Sequence, residues 1–546
     1  MPLTQTRWPL FGALVAGVVA VGLFWWFTLD HPKGEAVPAS GGSYTEGVTR
    51  PPERINPLYA QANPTDADLA SLIFSGLVRL GPDGSPQPDL AERWEITNNG
   101  QRYVFHLRQG IAWQDGEDVD AEDVVFTYRA IADPAFKGDP ALAQLMQGVA
   151  VTARDPQTVE FQLEQTYAPF LAWLTTGILP RHVLRDLDAG QLYNAAFNLQ
   201  PIGTGPYRLT SRDADGNVEL EANSTYYLGP PHISKFALRV FKTRDDLARA
   251  LREREIDGAL LDEGASQDDI SFIRNDGRWA VSSLPGAPYY MLYLNTHSPI
   301  FEERAVRRAL FQGINRDTLM GEVAAGEGVL STTGIPPGSW AAADVELPAF
   351  DPGAAATALE LAGFFRSRDG TRANIDNLRL SFSISTANDP RRVAIVEDIA
   401  RQWKAIGVSA EVEALDTGVF IEEHLLSRDF DVALVLVDGG PDPDPYPFWH
   451  TSQVRAPGLN LAGFSDGRID DALQRARQTT DTSRRKDLYT LFDGYFIAEM
   501  PSIPLYAPSS VYVQASRVRG FEPRLLYTPS SRFAEVNQWY VETRVK

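Results

Sequence analysis

Hydrophobic and polar residues follow periods that switch between those of helices and those of strands along the chain. After Asp120, a suitable N-cap, comes the segment AEDVVFTYRAI. In a helix, Val124, Tyr128 and Ile131 of this segment share one face. The pattern predicts a helix that begins after Asp120 and packs one side against a sheet.

A strand, a helix and a second strand are predicted further along the chain. The apolar run at 238–241 leads to Thr243, a suitable N-cap, and the helix after it carries Leu247 and Leu251 on one side. The run at 256–261 then has the composition of a strand. This order is typical of a small βαβ unit.

Two more helices are predicted where an aspartate precedes a proline, at Asp351 and Asp389. Gly363 and Gly407 are suitable positions for their ends. The second helix leads into VSAEVEAL at 408–415, whose composition is typical of a strand. Helices and strands therefore alternate throughout, which favours an α/β protein.

The N-terminal part contains an uncharged run at 10–29, LFGALVAGVVAVGLFWWFTL. As a helix it would extend about 30 Å, the thickness of the hydrocarbon core of a bilayer. Arg7 before the run favours an orientation with the N-terminus inside the cell. We expect a transmembrane anchor, or alternatively a cleavable signal peptide, between a cytoplasmic stub at 1–9 and a linker at 30–43.

Composition limits the classes of function. The 546 residues include 50 Lys and Arg against 71 Asp and Glu, a net charge of −21. Nucleic acid is not expected as a partner, because this charge repels phosphate groups. The absence of cysteine excludes disulfides and a lipid-modified N-terminal cysteine. The length predicts two or three compact units.

Several segments, in the order in which they occur, resemble the peptide and nickel solute-binding proteins of ABC importers. The most specific is YVFHLRQGIAWQDGEDVDAEDVVFTY at 103–128. The others are INPLY at 55–59, SGLVRL at 75–80, PDLAERWEI at 88–96, PIGTGPYRL at 201–209, LYLNT at 292–296, QWKAIGV at 402–408, PDPDPYPFWHTS at 441–452 and MPSIPLY at 500–506. The resemblance extends from about residue 44 to the C-terminus.

The resemblance implies an α/β fold with two lobes of the periplasmic-binding-protein type (type II, with an extra subdomain in lobe 1), after one transmembrane helix. Lobe 1 would take 44–286 with 506–546, and lobe 2 would take 287–505. The chain crossings between the lobes would fall near 288–294 and 503–506. These ranges set the expected domain organisation.

The resemblance also implies a function without catalysis. We expect a monomer, bound to the cell membrane through 10–29, whose main body lies outside the cytoplasm. It would enclose a peptide or a similar small solute between its lobes, without a cofactor or metal, and deliver it to the permease subunits of an ABC importer.

A loop is predicted at VDGGPDPDPYPFWHTS, because prolines and glycines interrupt helices and strands. It places Asp438, Asp442 and Asp444 near Tyr446 and Trp449. Carboxylates next to aromatic rings can bind an ammonium group and the apolar surface of a solute. We predict ligand contacts from this loop; the alternative is that the acids cap turns and the rings fill the core of a lobe.

Two positions qualify the resemblance. Family members that hold the free amino group of a peptide often have an aspartate where this chain has Gly439, directly after Asp438. Either Asp438 takes that role or the ligand has no amine to bind. Glu46 in SYTEGV is a further candidate that could accept a hydrogen bond from the ligand, and the alternative for it is a solvated acid on an edge strand.

Other functions have less support. A membrane-anchored hydrolase is disfavoured, because the sequence lacks the histidine spacing of a zinc protease. A binder of another small solute, such as a metal chelate, stays open. So does a membrane-anchored scaffold or adhesion module. The loss of the expected amine anchor would favour it, as would the lack of an arginine at 381–388, where some dipeptide binders of the family hold the ligand carboxylate.

Overall fold

The computed structural model describes residues 36–261 and 267–545. Its strands are β1 (Ala36–Ala39), β2 (Ser43–Val48), β3 (Val78–Leu80), β4 (Pro86–Pro88), β5 (Ala91–Thr97), β6 (Arg102–Leu107), β7 (Val149–Asp155), β8 (Thr158–Leu163), β9 (Tyr207–Arg212), β10 (Val218–Ala222), β11 (Lys235–Val240), β12 (Gly258–Leu261), β13 (Trp279–Pro285), β14 (Tyr289–Leu294), β15 (Gly328–Leu330), β16 (Phe365–Arg366), β17 (Arg372–Ala373), β18 (Ser381–Ala387), β19 (Ser409–Leu415), β20 (Val432–Val437), β21 (Ser502–Pro504), β22 (Tyr506–Ala515) and β23 (Glu542–Val545).

The α-helices between these strands are α1 (Pro64–Ile73), α2 (Ala121–Ala132), α3 (Pro140–Gln147), α4 (Arg181–Leu184), α5 (Ala189–Leu192), α6 (Arg244–Glu253), α7 (Gln267–Asn275), α8 (Pro299–Glu302), α9 (Arg304–Gln312), α10 (Arg316–Val323), α11 (Pro352–Leu361), α12 (Pro390–Ala405), α13 (Thr417–Val419), α14 (Tyr446–Trp449), α15 (Gly467–Arg477) and α16 (Thr482–Glu499). Short 3-10 segments lie at Ala60–Ala62, Asn98–Gly100, Ala168–Thr175, Ala196–Leu199, Thr451–Gln453, Pro529–Phe533 and Val536–Gln538, and a π-helix lies at Phe420–Leu425.

The first lobe is built on an eight-stranded sheet with the order β13-β22-β12-β2-β11-β10-β9, and β15 also pairs with β22. At its centre, β2 is parallel to both β11 and β12. Helix α6 connects β11 to β12, and the side chain of Thr243 caps its start. The predicted βαβ unit is therefore confirmed, with β2 inserted between its two strands.

A smaller antiparallel sheet with the order β5-β6-β8-β7 forms a subdomain of the first lobe. Helix α2 packs on it, and Val124, Tyr128 and Ile131 are buried. The carboxylate of Asp120 accepts hydrogen bonds from the backbone at the start of this helix, and Asp123 completes the capping box. The sequence prediction for this helix is confirmed at its start and on its buried face.

The second lobe is built on a five-stranded sheet with the order β19-β18-β20-β14-β21. Helix α12 connects β18 to β19 and buries Val396, Ile399 and Trp403. Asp389 caps its start, and Gly407 after its end has a φ of +87°, a backbone conformation that favours glycine. The strand–helix–strand order follows the sequence pattern closely.

Two short passages join the two large sheets directly, and between them β15 returns to the eight-stranded sheet to pair with β22. One passage lies at 286–288, between β13 and β14, and the other is Leu505, between β21 and β22. The stretch 288–294, expected to be a crossing, is mostly the buried strand β14, which pairs with β20 and β21. Its apolar run therefore reflects a central strand rather than a connection.

Within residues 36–261 and 267–545, no helix combines the length and the apolar character that crossing a membrane requires. The transmembrane helix predicted at 10–29 and the stub at 1–9 lie outside these described residues, as does the linker up to residue 35. The described part of the predicted linker contains β1, which pairs with β23.

Candidate ligand-binding site

The loop predicted from its prolines and glycines leaves β20 at the edge where the two lobes meet. The Asp438 carboxylate accepts a hydrogen bond from the backbone N–H of Gly440 at 2.9 Å. Gly440 has a φ of +76°, and a Cβ at this position would lie 3.3 Å from Trp173 of the first lobe. Asp438 and Gly439 are exposed. The loop therefore touches the opposite lobe and keeps its first residues in solvent.

Asp442 forms a buried ion pair inside the second lobe. Its two carboxylate oxygens accept hydrogen bonds from the two Nη atoms of Arg485 at 2.7 and 3.1 Å. Arg485 also donates to the hydroxyl of Tyr489 at 2.8 Å. Burial raises the pKa of Asp442, and the charge of Arg485 opposes this shift. The carboxylate predicted to face a ligand is neutralised by a residue of its own lobe.

Asp444 is paired in a similar way. Nε of Arg477 donates to its carboxylate at 2.6 Å, and the backbone N–H of Tyr446 donates at 3.1 Å. The guanidinium of Arg477 also lies 3.8 Å from the ring centre of Tyr446 and 5.4 Å from that of Tyr167. Tyr167 belongs to the first lobe, so Arg477 stacks on rings from both lobes.

The two predicted aromatic residues occupy different environments. Tyr446 is half-buried and stacks on His450 with ring centres 4.1 Å apart. Trp449 is buried, stacks on Tyr293 at 5.5 Å and meets the edge of Phe496 at 4.8 Å. Tyr446 therefore lies at the lobe boundary, whereas Trp449 packs in the core of the second lobe. The position of Trp449 agrees with the alternative prediction, in which rings of this loop fill the core of a lobe.

Glu46 lies in the central strand β2, with paired strands on both sides. Its side chain is fully buried and accepts hydrogen bonds from Arg532 at 2.9 and 3.1 Å and from the hydroxyl of Tyr44 at 2.6 Å. The alternative prediction, that Glu46 is a solvated acid on an edge strand, is wrong. A ligand contact from Glu46 stays a prediction, and its carboxylate is already bound by protein groups.

A groove with a volume of about 980 Å³ lies between the subdomain of the first lobe and helix α15 of the second. Its walls are mostly polar and come from both lobes, with Arg477 as the charged residue among them. The lining residues are Ile96, Asn99, Gly100, Gln101, Gln165, Thr166, Tyr167, Tyr446, Gln474, Arg477, Gln478, Thr479 and Thr480. We call this the inter-lobe groove.

Behind the loop, further side chains from both lobes surround Asp442 and Arg485. The Trp340 ring centre lies 5.0 Å from the Arg485 guanidinium, and the backbone N–H of Trp340 donates to the carbonyl of Asp83 in the first lobe at 2.9 Å. Burial raises the pKa of Tyr103 and Tyr527, and the charge of Asp442 adds to both shifts. We call Tyr103, Trp340, Asp442, Arg485 and Tyr527 the inter-lobe cluster.

Several polar atoms of this cluster lack a hydrogen-bond partner among the described residues. They are the hydroxyls of Tyr103 and Tyr527, Nε1 of Trp340 and Nε of Arg485. A buried polar group without a partner calls for an explanation, such as a bound water, ion or ligand. The cluster and the groove together form the candidate site.

Sequence reasoning missed the two arginines and Trp340. Arg477 and Arg485 lie 33 and 43 positions after their partners Asp444 and Asp442, on separate helices. No short spacing in the sequence predicts such a contact between distant residues. Trp340 lies in a loop without a recognisable pattern. Tyr103, by contrast, begins the most specific family-like segment and was available as a signal.

Among residues 36–261 and 267–545, no group of three or more His, Asp and Glu side chains is arranged so that it could hold a metal ion.

A family model and several known proteins match most of this chain. The family model described as bacterial extracellular solute-binding proteins, family 5 Middle, matches residues 85–457. Protein XP55 of Streptomyces lividans is 28% identical to this chain, with 96% of each chain covered. The dipeptide-binding protein of Pseudomonas aeruginosa is 27% identical and covers 84% of this chain and 88% of its own.

A solved structure shares the fold as well. NikZ from Campylobacter jejuni, in complex with Ni(L-His), superposes with a TM-score of 0.68 at 26% identity, covering 91% of this chain and 99% of its own. The α/β architecture with two lobes is therefore that of a periplasmic binding protein.

Proposed function

This chain belongs to the family 5 bacterial extracellular solute-binding proteins, and from that membership we propose that it captures peptides between its lobes for an ABC importer. The protein would make no chemical change to the solute. It would act as the extracytoplasmic binding subunit and present the enclosed peptide to the permease. The 27% identical relative from Pseudomonas aeruginosa is named a dipeptide-binding protein, which supports peptide as the solute class.

The observation that carries this proposal is the inter-lobe groove, whose two walls belong to different lobes. A solute bound there contacts both walls, so its binding energy favours the arrangement in which the lobes are together. The amide side chains of Gln165 and Gln474 offer donors and acceptors that match the alternating N–H and C=O groups of a peptide. Tyr167 and Tyr446 supply flat apolar surface.

Native mass spectrometry of the full-length chain, purified from cells grown in rich medium, tests the proposal. We expect a distribution of added masses that match short peptides and disappear under denaturing conditions. A single discrete added mass would instead identify another solute, such as a metal chelate. Bare protein in every preparation would contradict capture and favour a scaffold.

A matched pair of variants ties any bound peptide to the groove. Gln474 and Arg475 are adjacent and exposed on α15, but only Gln474 lines the groove. Gln474→Trp should lower the yield of co-purified peptide severalfold by narrowing the groove, while Arg475→Trp should not. Equal yields from the two variants would place the peptide elsewhere.

We also propose that the apolar run at 10–29 holds a monomeric protein at the outer face of the cell membrane. The support is the length of the run and its lack of charge. Fractionation of cells expressing the full chain, followed by N-terminal sequencing, separates an intact anchor from a cleaved signal peptide. Recovery of the intact chain in the soluble fraction would contradict both.

A further inference from the structure

The inter-lobe cluster has a surplus of hydrogen-bond donors. Nε of Arg485 and Nε1 of Trp340 carry N–H groups that donate and cannot accept, and both are buried without an acceptor among the described residues. The hydroxyls of Tyr103 and Tyr527, which can donate, are buried and unpaired as well. Arg485 is 5% and Trp340 is 9% exposed, so bulk solvent does not supply the missing acceptors.

The carboxylates of the same region are already occupied. Asp442 accepts two hydrogen bonds from Arg485, and Asp444 accepts one from Arg477 and one from a backbone N–H. Each carboxylate is thus balanced by one guanidinium. An ammonium group entering here would have to displace an arginine that is bound at hydrogen-bond distance, and the guanidinium would then lose its own partner.

From this imbalance we infer that the cluster recognises an oxygen acceptor of the solute, a carboxylate or carbonyl oxygen, and that binding needs no free amino group. The inference rests on the proposed function, since it assigns the chemistry of the same site. It favours peptides in which the amino terminus is blocked or lies outside the cluster. On this inference Asp438, which is exposed and bonded to its own loop, is not needed as an amine anchor.

The positions of the donors also couple recognition to closure. Tyr103 and Tyr527 belong to the segments of the first lobe, whereas Trp340 and Arg485 belong to those of the second. A solute that accepts hydrogen bonds from donors of both groups would hold the two lobes together. Closing the lobes without an acceptor leaves these donors buried and unpaired, which disfavours the closed arrangement. An acceptor removes that penalty, so it favours closure.

Calorimetric titration of the full-length chain tests this chemistry with two probes. One is a mixture of tetrapeptides with free termini, and the other is the same mixture after N-acetylation. We expect the two mixtures to bind with affinities within about threefold of each other. A loss of tenfold or more on acetylation would show that the amine is recognised and would overturn the inference.

Removing donors tests the same idea from the side of the protein. The double variant Trp340→Phe with Tyr103→Phe deletes one N–H and one O–H while keeping an aromatic ring at both positions, and we expect it to weaken binding of both mixtures about tenfold. Tyr128→Phe is the control, because it deletes an equally buried and unpaired hydroxyl in the interior of the first lobe. Wild-type affinity in the double variant would overturn the inference.

The outcomes separate the two levels of the proposal. Binding of the free-amine mixture alone would contradict the inference and leave peptide capture standing. Binding of neither mixture by the wild-type chain would contradict peptide capture and the inference together.

Discussion

Two buried arginines in this molecule differ in how many of their N–H groups have a hydrogen-bond acceptor. Arg532, inside the first lobe, donates to Glu46, to Asp68 and to the carbonyl of Pro529 in five hydrogen bonds of 2.6 to 3.1 Å. A guanidinium has five N–H donors, so Arg532 uses all of them. Arg485, where the lobes meet, uses its Nη atoms and leaves Nε unpaired.

The difference separates a structural cluster from a recognition cluster. The network of Arg532 joins strand β2 to helix α1 and needs nothing further, because the hydroxyls of Tyr44 and Tyr512 complete the Glu46 carboxylate. The cluster of Arg485 holds one acid firmly but has donors to spare beside it. Burial and ion pairing alone would rank the two sites as equal, whereas the hydrogen-bond inventory distinguishes them.

Replacing the saturated arginine should have the largest effect on stability. Arg532→Met leaves Glu46 and Asp68 buried without a cation, and we expect the free energy of unfolding to fall by about 3 to 5 kcal/mol. Urea unfolding followed by tryptophan fluorescence measures the change.

The control for this substitution is Arg517→Met. Arg517 pairs with Asp257 at 2.8 Å, but its side chain is 49% exposed, so we expect a loss of no more than about 1 kcal/mol. Equal losses from Arg532→Met and Arg517→Met would contradict the structural role of the Arg532 network.

Asp493 shows what a buried acid does when only a hydroxyl supports it. It accepts a hydrogen bond from Thr333 at 2.5 Å, and burial raises its pKa to about 7 against that bond. The folded state therefore keeps a proton that the unfolded state releases at a lower pH. The stability that this proton provides is present at acidic pH and is lost as the pH rises through about 7.

Asp493→Asn should remove this pH dependence. Between pH 5 and pH 8 we expect the wild-type chain to lose about 2.5 kcal/mol more stability than the variant. Urea midpoints at the two pH values provide the measurement, with Asp487→Asn, an exposed position on the same helix, as the control. Parallel pH profiles for wild type and Asp493→Asn would contradict the assignment.

Local patterns predicted the fold better than the site. Caps such as Asp120 and Asp389 and the glycine after α12 act within a few residues, so sequence reasoning placed these helices correctly. The loop after β20 was also predicted from its prolines and glycines. What local reasoning could not provide was the partner of each acid: Arg485 and Arg477 reach Asp442 and Asp444 from distant helices.

The same limit explains two reassignments. The apolar stretch 288–294 has the composition of either a connection or a buried strand, and only its pairing with β20 and β21 decides. Glu46 was expected near the ligand or in solvent, because no neighbouring residue in the sequence predicts its ion pair with Arg532, 486 positions away. Long-range pairing of charges is a property of the tertiary fold.

The smallest effect we expect comes from the contact that Arg477 makes across the lobes. Arg477→Lys keeps a cation for Asp444 but loses the flat guanidinium that stacks between Tyr446 and Tyr167. A cation–π contact of this kind contributes about 0.5 to 1 kcal/mol, so the closed population should fall about threefold while the stability of each lobe is nearly unchanged. Single-molecule FRET between labels on the two lobes, in the presence of the tetrapeptide mixture, measures that population. Arg475→Lys, on the exposed side of the same helix, should leave it unchanged. The same FRET distribution for Arg477→Lys and Arg475→Lys would show that the stacking of Arg477 does not stabilise the closed arrangement. The inter-lobe cluster alone would then distinguish the candidate site from the interior of the first lobe.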